Sequence, residues 1–342
     1  MRPEVMHRHR VEFRERRDIA ETRTSRSLQG LAAVYDPAVK WHGPHPINQG
    51  VGADAVIQIF WRPLLRAVPD LERREDILLS GVWQDRLWMA STGHFSGCFE
   101  RSWLGLPASR KVVNIRYGEF CRLTDGRIDE CYLILDILDV IRQVGLWPIA
   151  PALGSTERVP SPATHDGVVN APQDAQESTE SLKLVEAMIA GLMRFDGKSL
   201  DSMEQSKFWH PDFMWYGPAG IGTCRGQSDY RRVHQGPFLN AFPDRVGGDH
   251  KCRIAEGRYV ASTGWPSIRA THLGSGFLGL PATGRPVTMR VMDFWRREKS
   301  LLRENWVFVD LLDLLLQLGA DVFARMAAAG VLVETNDSGT AA

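Results

Sequence analysis

An α+β protein of two tandem domains is expected from this chain, each domain a curved antiparallel sheet with helices on its concave face. The first observation is an internal repeat. Trp41, Gly43, Pro44, Ile47, Gly52, Pro63, Leu65, Ala67, Pro69 and Asp70 recur 174 positions later as Trp215, Gly217, Pro218, Ile221, Gly226, Pro237, Leu239, Ala241, Pro243 and Asp244. The register slips by three at Ala90-Ser91-Thr92-Gly93 against Ala261-Ser262-Thr263-Gly264, then returns for Leu104 to Ala108 against Leu278 to Ala282. Glu130, Asp136, Asp139 and Gln143 close the match against Glu304, Asp310, Asp313 and Gln317. Solenoid repeats are far shorter, so this period is a whole-domain duplication. The second observation is length, since 342 residues suit about two domains with a core each. The third is order, with helical periodicity at the front of each repeat and strands behind it.

In the second repeat Leu182, Val185, Met188, Ile189, Leu192 and Met193 recur at three- and four-residue spacing, predicting an amphipathic helix that stops before Asp196-Gly197. A short helix holds Leu200 and Met203. Ser228 is the expected cap of a helix over Asp229 to Phe242, ended by Pro243. Strands follow over Lys251 to Ile254, Tyr259 to Trp265, Ile268 to Leu273, Val287 to Arg296 and Leu302 to Asp310. A last short helix ends at Gly319. The expected boundaries are 1–153 for the first domain, 154–179 for a Pro- and Ser-rich linker without a core of its own, 180–335 for the second domain and 336–342 for a frayed polar tail.

Forty-one basic and forty-one acidic residues are interspersed and cancel, so no nucleic-acid footprint or anionic-membrane partner is expected. The one basic cluster, His7-Arg8-His9-Arg10 with Arg14, Arg16 and Arg17, is interrupted by Glu12, Glu15 and Asp18 and reads as a solvated helix start. No apolar run is long enough for a membrane span or a signal peptide, so a cytoplasmic location is expected. Five cysteines without a C-x-x-C pair read as reduced thiols. No His/Asp/Glu set has metal-ligand spacing, and there is no phosphate loop, nucleotide fingerprint or G-x-S-x-G. Chemistry without a metal or cofactor is the expectation.

Thr271-His272-Leu273-Gly274, Gly279-Leu280-Pro281-Ala282-Thr283-Gly284-Arg285, Glu304-x-Trp306 with Asp310, and Gln317-Leu318-Gly319 make the second repeat resemble the SnoaL-like polyketide cyclase branch of the NTF2-like superfamily. The first repeat is a weaker match, with Gly97-Cys98-Phe99 and Glu130-x-Tyr132 in the corresponding places. The resemblance implies a cone in each domain with an apolar pocket. It also implies a general-base aspartate on the last strand, where this chain has Val307 and, in the first repeat, Leu133. That departure means the family's aldol-cyclase mechanism cannot be carried over intact.

On the strand through Val287 to Arg296, Met289, Val291, Asp293 and Trp295 share a face. A carboxylate among apolar neighbours is costly, and burial raises its pKa toward that of a general base. Asp293 is therefore the expected base, with Glu119 at its position in the first repeat; the competing reading is an ion pair with Arg290 or Arg116. His272, where the family places a histidine, is the expected acid or enolate donor. Trp215, Tyr216, Trp265, Asn305, Val307, Met289 and Val291 are the expected substrate-binding residues. Cys98 replaces His272 and His42 replaces Tyr216 in the first repeat, so its site, with Glu119, His94, His42 and Trp41 as candidates, is expected to be degenerate. Asp136 and Asp310 read as helix N-caps.

The expected function is cofactor-independent acid–base proton transfer on a small apolar or aromatic carbonyl compound, giving cyclisation, isomerisation or dehydration. The contrasting expectation is a non-catalytic ligand-binding or scaffolding protein. The two sheets are expected to pack face to face as an intramolecular pseudo-dimer, Trp306 and Phe308 in the contact, with further homo-oligomerisation left open.

Overall fold

Each repeat builds one sheet. A computed structural model of the chain describes residues 1–22 and 26–333, so the expected frayed tail lies outside the described residues. The first sheet holds β1 (Tyr35–His42), β2 (Gln49–Val51), β3 (Glu72–Trp83), β4 (Arg86–Cys98), β5 (Val112–Thr124) and β6 (Arg127–Leu135) in the order β2-β1-β6-β5-β4-β3. The second holds β7 (Trp209–Tyr216), β8 (Thr223–Arg225), β9 (Val246–Gly247), β10 (His250–Glu256), β11 (Tyr259–Thr271), β12 (Pro286–Glu298) and β13 (Leu301–Val309), ordered β10-β11-β12-β13-β7-β8 with β9 beside β11. The sheets are mixed, which corrects the all-antiparallel expectation. β1 runs parallel to β6 and β7 parallel to β13, because the helices and strands between them carry the chain back to the start of the sheet.

The amphipathic helix of the second repeat spans Ala175–Leu192, capped by Asp174, whose carboxylate accepts from Gln176 and Glu177 backbone N–H groups. Leu200–Met203 forms one 3₁₀ turn. The next helix starts at Gly226, two residues before the expected Ser228, with Arg225 at its N-cap and no side-chain cap bond. It continues through a π turn at Arg231–Gln235 to Gly236–Ala241. Pro237 explains the wide turn. It has no N–H and its ring crowds the carbonyl four residues back, while Gly236 N–H bonds five residues back to Arg231 O. Pro63 has the same place after Ile57–Trp61 in the first repeat.

The two sheets pack face to face. Ile77, Leu79, Trp88, Ala90, Phe120, Tyr132 and Ile134 meet Tyr216, Ile254, Ala261, Met292, Phe294, Trp306 and Phe308 in one buried cluster. Phe120 and Phe294, equivalent in the repeats, lie 5.5 Å apart. Asp136 and Asp310 cap the helices Ile137–Gln143 and Leu311–Gln317. Each also reaches across the seam, Asp136 Oδ2 accepting from Ala219 N–H at 2.8 Å and Asp310 Oδ2 from His45 N–H at 3.0 Å. Ala219 and His45 are themselves equivalent positions, so the seam is an isologous dimer contact inside one chain.

The expected linker is ordered along that seam from Ser155 to Val168, and its last residues, 175–179, open the helix Ala175–Leu192. Ser155 bridges to Thr223, Val168 lies beside Leu78, and the Trp306 indole donates to Pro160 O at 2.9 Å. The N-terminal helix Pro3–Glu21 is not a simple solvated element. Arg10 and Arg17 are buried on its inner face, and Arg10 donates to Ser80 Oγ, Glu256 and Val169 O, tying both repeats together.

Candidate functional site

The side of the second sheet turned away from the seam carries a cavity of about 390 Å³ between the strands and the helices Ala175–Leu192 and Gly226–Ala241. Strand alternation supplies one wall. Met289, Val291, Asp293 and Trp295 come from β12, Asn305 and Val307 from β13, and Trp215 from β7. Met188, Tyr230, His234, Phe238 and Phe277 complete a mostly apolar enclosure. Trp215 is held by local sequence: a Cβ on Gly217 would lie 2.2 Å from the indole, so only glycine lets the ring fold over the chain there.

Asp293 is half-buried and faces this space. Asn305 Nδ2 donates to its Oδ1 at 3.2 Å and to Phe294 O at 3.2 Å. Burial pushes the carboxyl up to about 7, against the Asn305 hydrogen bond and the nearby Arg253 charge, which act downward. The ion-pair reading of Asp293 fails here. Arg290 instead binds Asp310 at 3.0 Å and Asp313 at 3.5 Å, and Arg116 donates to Tyr216 O and Gly217 O.

Three expected residues lie elsewhere. His272 is fully buried but outside the cavity lining, against Phe242 at 5.3 Å, with Nδ1 3.1 Å from Thr283 Oγ1. Tyr216 takes the opposite face of β7 from Trp215 and bonds Glu304 at 3.2 Å inside the seam. Trp265 packs against Tyr132 and His42 of the first repeat and under the Arg290 guanidinium. A register shift in β11 between Gly264 and Ile268 breaks the strand's alternation between Trp265 and His272.

Sequence reasoning passed over His234. It lies in the π turn, stacks on Trp215 at 4.3 Å, and lines the cavity with an Nδ1 that has no hydrogen-bond partner. Burial, reinforced by the Arg245 charge, lowers its pKa to about 3, so the ring is neutral. The legible signal was Pro237, which forces the wide turn that turns this imidazole inward. His250 also lines the cavity, with its pKa lowered to about 4 by burial and then by Arg253.

The first repeat closes the same space. Glu119 stands at the position of Asp293, but Arg73 Nη1 binds it at 3.0 Å and Arg17 lies 4.0 Å away. Arg73 also makes a bidentate pair with Glu21 at 2.8 and 2.9 Å and covers the Phe95 and Tyr117 rings. Pairing shows what differs. Arg73 on β3 faces Phe95, and its counterpart on β9, facing Ile268, is Gly247. An arginine fills the first space, and a glycine leaves the second open. Trp41 is buried in the first core, His42 stacks on Tyr132 at 4.5 Å, and His94 lies 3.3 Å from Asp76 beside the seam, so these candidates do not gather around Glu119.

Cross-strand pairing of Cys121 with Cys131 does bring those two thiols and Glu119 within 4.8 Å of one another, a donor set no linear spacing reveals. Burial raises both thiol pKa values, and two guanidinium groups already neutralise Glu119, so a divalent cation would have to displace them.

The model of the SnoaL-like polyketide cyclase family matches residues 14–144 and again 183–318. The chain belongs to that family. It is a tandem SnoaL-like protein, with one family unit per sheet. Similar solved structures include AclR of Streptomyces galilaeus, named as a candidate hydroxylase, at 28% identity over 42% of this chain and 87% of that one, TM-score 0.34. IdmH of Streptomyces antibioticus, named as a candidate polyketide cyclase, is 26% identical over 39% of this chain and 97% of its own, TM-score 0.31. A SnoaL-like protein of Jannaschia sp. CCS1 is 18% identical over 41% and 93%, TM-score 0.34. No curated protein matches the chain. Among the described residues, no helix of this SnoaL-like chain is long and apolar enough to cross a membrane.

Proposed function

We propose that the second SnoaL-like domain is a cofactor-independent acid–base site that removes a proton next to the carbonyl of a small apolar compound, leading to cyclisation, isomerisation or dehydration. The observation that carries this reading is Asp293: a carboxylate facing an apolar cavity, free of any arginine contact, and raised to about 7. A base of that pKa is half ionised near neutrality, which balances availability against proton affinity. Asn305 holds one carboxylate oxygen and leaves the other for the substrate. Trp215, Met289, Val291 and Val307 supply the apolar contacts that position the ring or chain.

His272 has no part in this scheme, because it is not among the residues that line the cavity. The first domain serves as a structural partner, its equivalent carboxylate consumed by Arg73. Turnover of an enolisable ketone panel by wild type and Asp293→Asn tests the proposal. Loss of roughly 10²–10⁴-fold in kcat with ligand affinity kept supports it. Saturable binding with no Asp293-dependent turnover supports a ligand-binding module instead.

A further inference from the structure

Proton abstraction next to a carbonyl leaves negative charge on the carbonyl oxygen, and that oxygen needs a donor. Asn305 is already committed to Asp293 and to Phe294 O. Trp295 is not committed. It lies on β12 two residues beyond Asp293, on the same strand face, lines the cavity and is 3% exposed. Its Nε1–H is buried with no hydrogen-bond partner. An indole N–H can only donate, so it cannot satisfy itself by rotating into an acceptor role. Leaving a buried donor unmade is costly, so such a group on a residue of the cavity wall is available to a ligand acceptor. The first repeat again marks the contrast, with Cys121 at the position of Trp295 beside the neutralised Glu119.

We propose that Trp295 is a catalytic residue whose indole N–H binds the carbonyl oxygen of the substrate and the enolate oxygen formed from it, an assignment that rests on the Asp293 reading above. The carboxylate of Asp293 takes the α-proton, the C–H pair becomes the enolate double bond, and the carbonyl π pair moves onto the oxygen held by Trp295. Return of the proton to a carbon of the product, or to a departing hydroxyl, restores the carboxylate. The substrate class is thereby narrowed to enolisable ketones whose carbonyl oxygen reaches the β12 wall, next to Asp293.

2-Naphthol, whose phenolic oxygen mimics an enolate, is the probe. Its affinity is measured in wild type, Asp293→Asn, Trp295→Phe and Tyr230→Phe, together with the indole N–H signals of the full-length protein by NMR. The indole signal missing from Trp295→Phe should move downfield on binding, and that variant should bind roughly ten- to a hundredfold more weakly. Asp293→Asn, which mimics the base after it has taken the proton, should bind at least as tightly as wild type above pH 7. An unmoved indole signal, with the affinity loss falling on Tyr230→Phe, overturns the assignment of Trp295 and leaves Asp293 standing. Weaker binding by Asp293→Asn, or no saturable binding by wild type, overturns both.

Discussion

Asp293 and Glu119 occupy the same position in the two repeats and have opposite surroundings. The unfolded chain gives Asp293 an ordinary carboxylate pKa near 3.9, and the fold raises it to about 7. Between those values the folded state holds the extra proton, so Asp293 costs stability progressively as pH rises through that window. Asp293→Asn should therefore match wild type near pH 4 and melt higher than wild type at pH 8; equal melting at both values contradicts the raised pKa. His234 works the other way. Its pKa is depressed, so the unfolded chain binds the proton below about 6.5 and stability is lost as pH falls from there toward 3. His234→Phe should reduce that acid sensitivity, read as a smaller drop in Tm between pH 7 and pH 5. Removing Arg73 by Arg73→Met should cost about 3–5 kcal/mol in chemical denaturation, because Glu21 would lose its bidentate partner and buried Glu119 would keep only Arg17, 4.0 Å away. Asp293 was legible because strand alternation exposes a lone carboxylate among apolar neighbours. His272 was expected from the family resemblance, which carries a residue type to a strand position without saying whether the side chain lines the cavity.

The edge element Val246–Gly247 has glycine where the first repeat has Arg73. A Cβ at Gly247 meets nothing within 4 Å, so a side chain fits there without moving its neighbours. Gly247→Arg should reproduce the Arg73 arrangement: the guanidinium would enter the cavity, pair with Asp293 and draw its pKa down. Loss of 2-naphthol binding with an unchanged or higher Tm at pH 8 is the expected outcome. Retained binding would show that the edge residue does not control access. The 174-residue offset already aligns Arg73 with Gly247, but only strand pairing places both on the edge beside the cavity wall. The helix Gly226–Ala241 was legible in existence, while its π turn and the inward His234 follow from one missing N–H at Pro237.

Across the whole molecule, the two repeats pack as a pseudo-symmetric pair within one chain. The repeat and the two sheets could be read from residue period and alternation, whereas the face-to-face contact was an expectation from the family resemblance, with alternation only selecting Trp306 and Phe308 for it. The crossing bonds of Asp136 and Asp310, and the Arg10 bridge to Glu256, could not, because they join positions unrelated in sequence. Phe294→Ala empties the centre of the seam and should cost about 3–5 kcal/mol while both domains still unfold together, as a single transition by tryptophan fluorescence and circular dichroism. On the proposed reading, the first copy braces the second, which holds the site. Calorimetric titration of 2-naphthol tests that division most directly: the account predicts one site per chain in wild type and in Glu119→Gln, and none in Gly247→Arg, whereas two sites per chain, or equal loss in Glu119→Gln and Gly247→Arg, would contradict it.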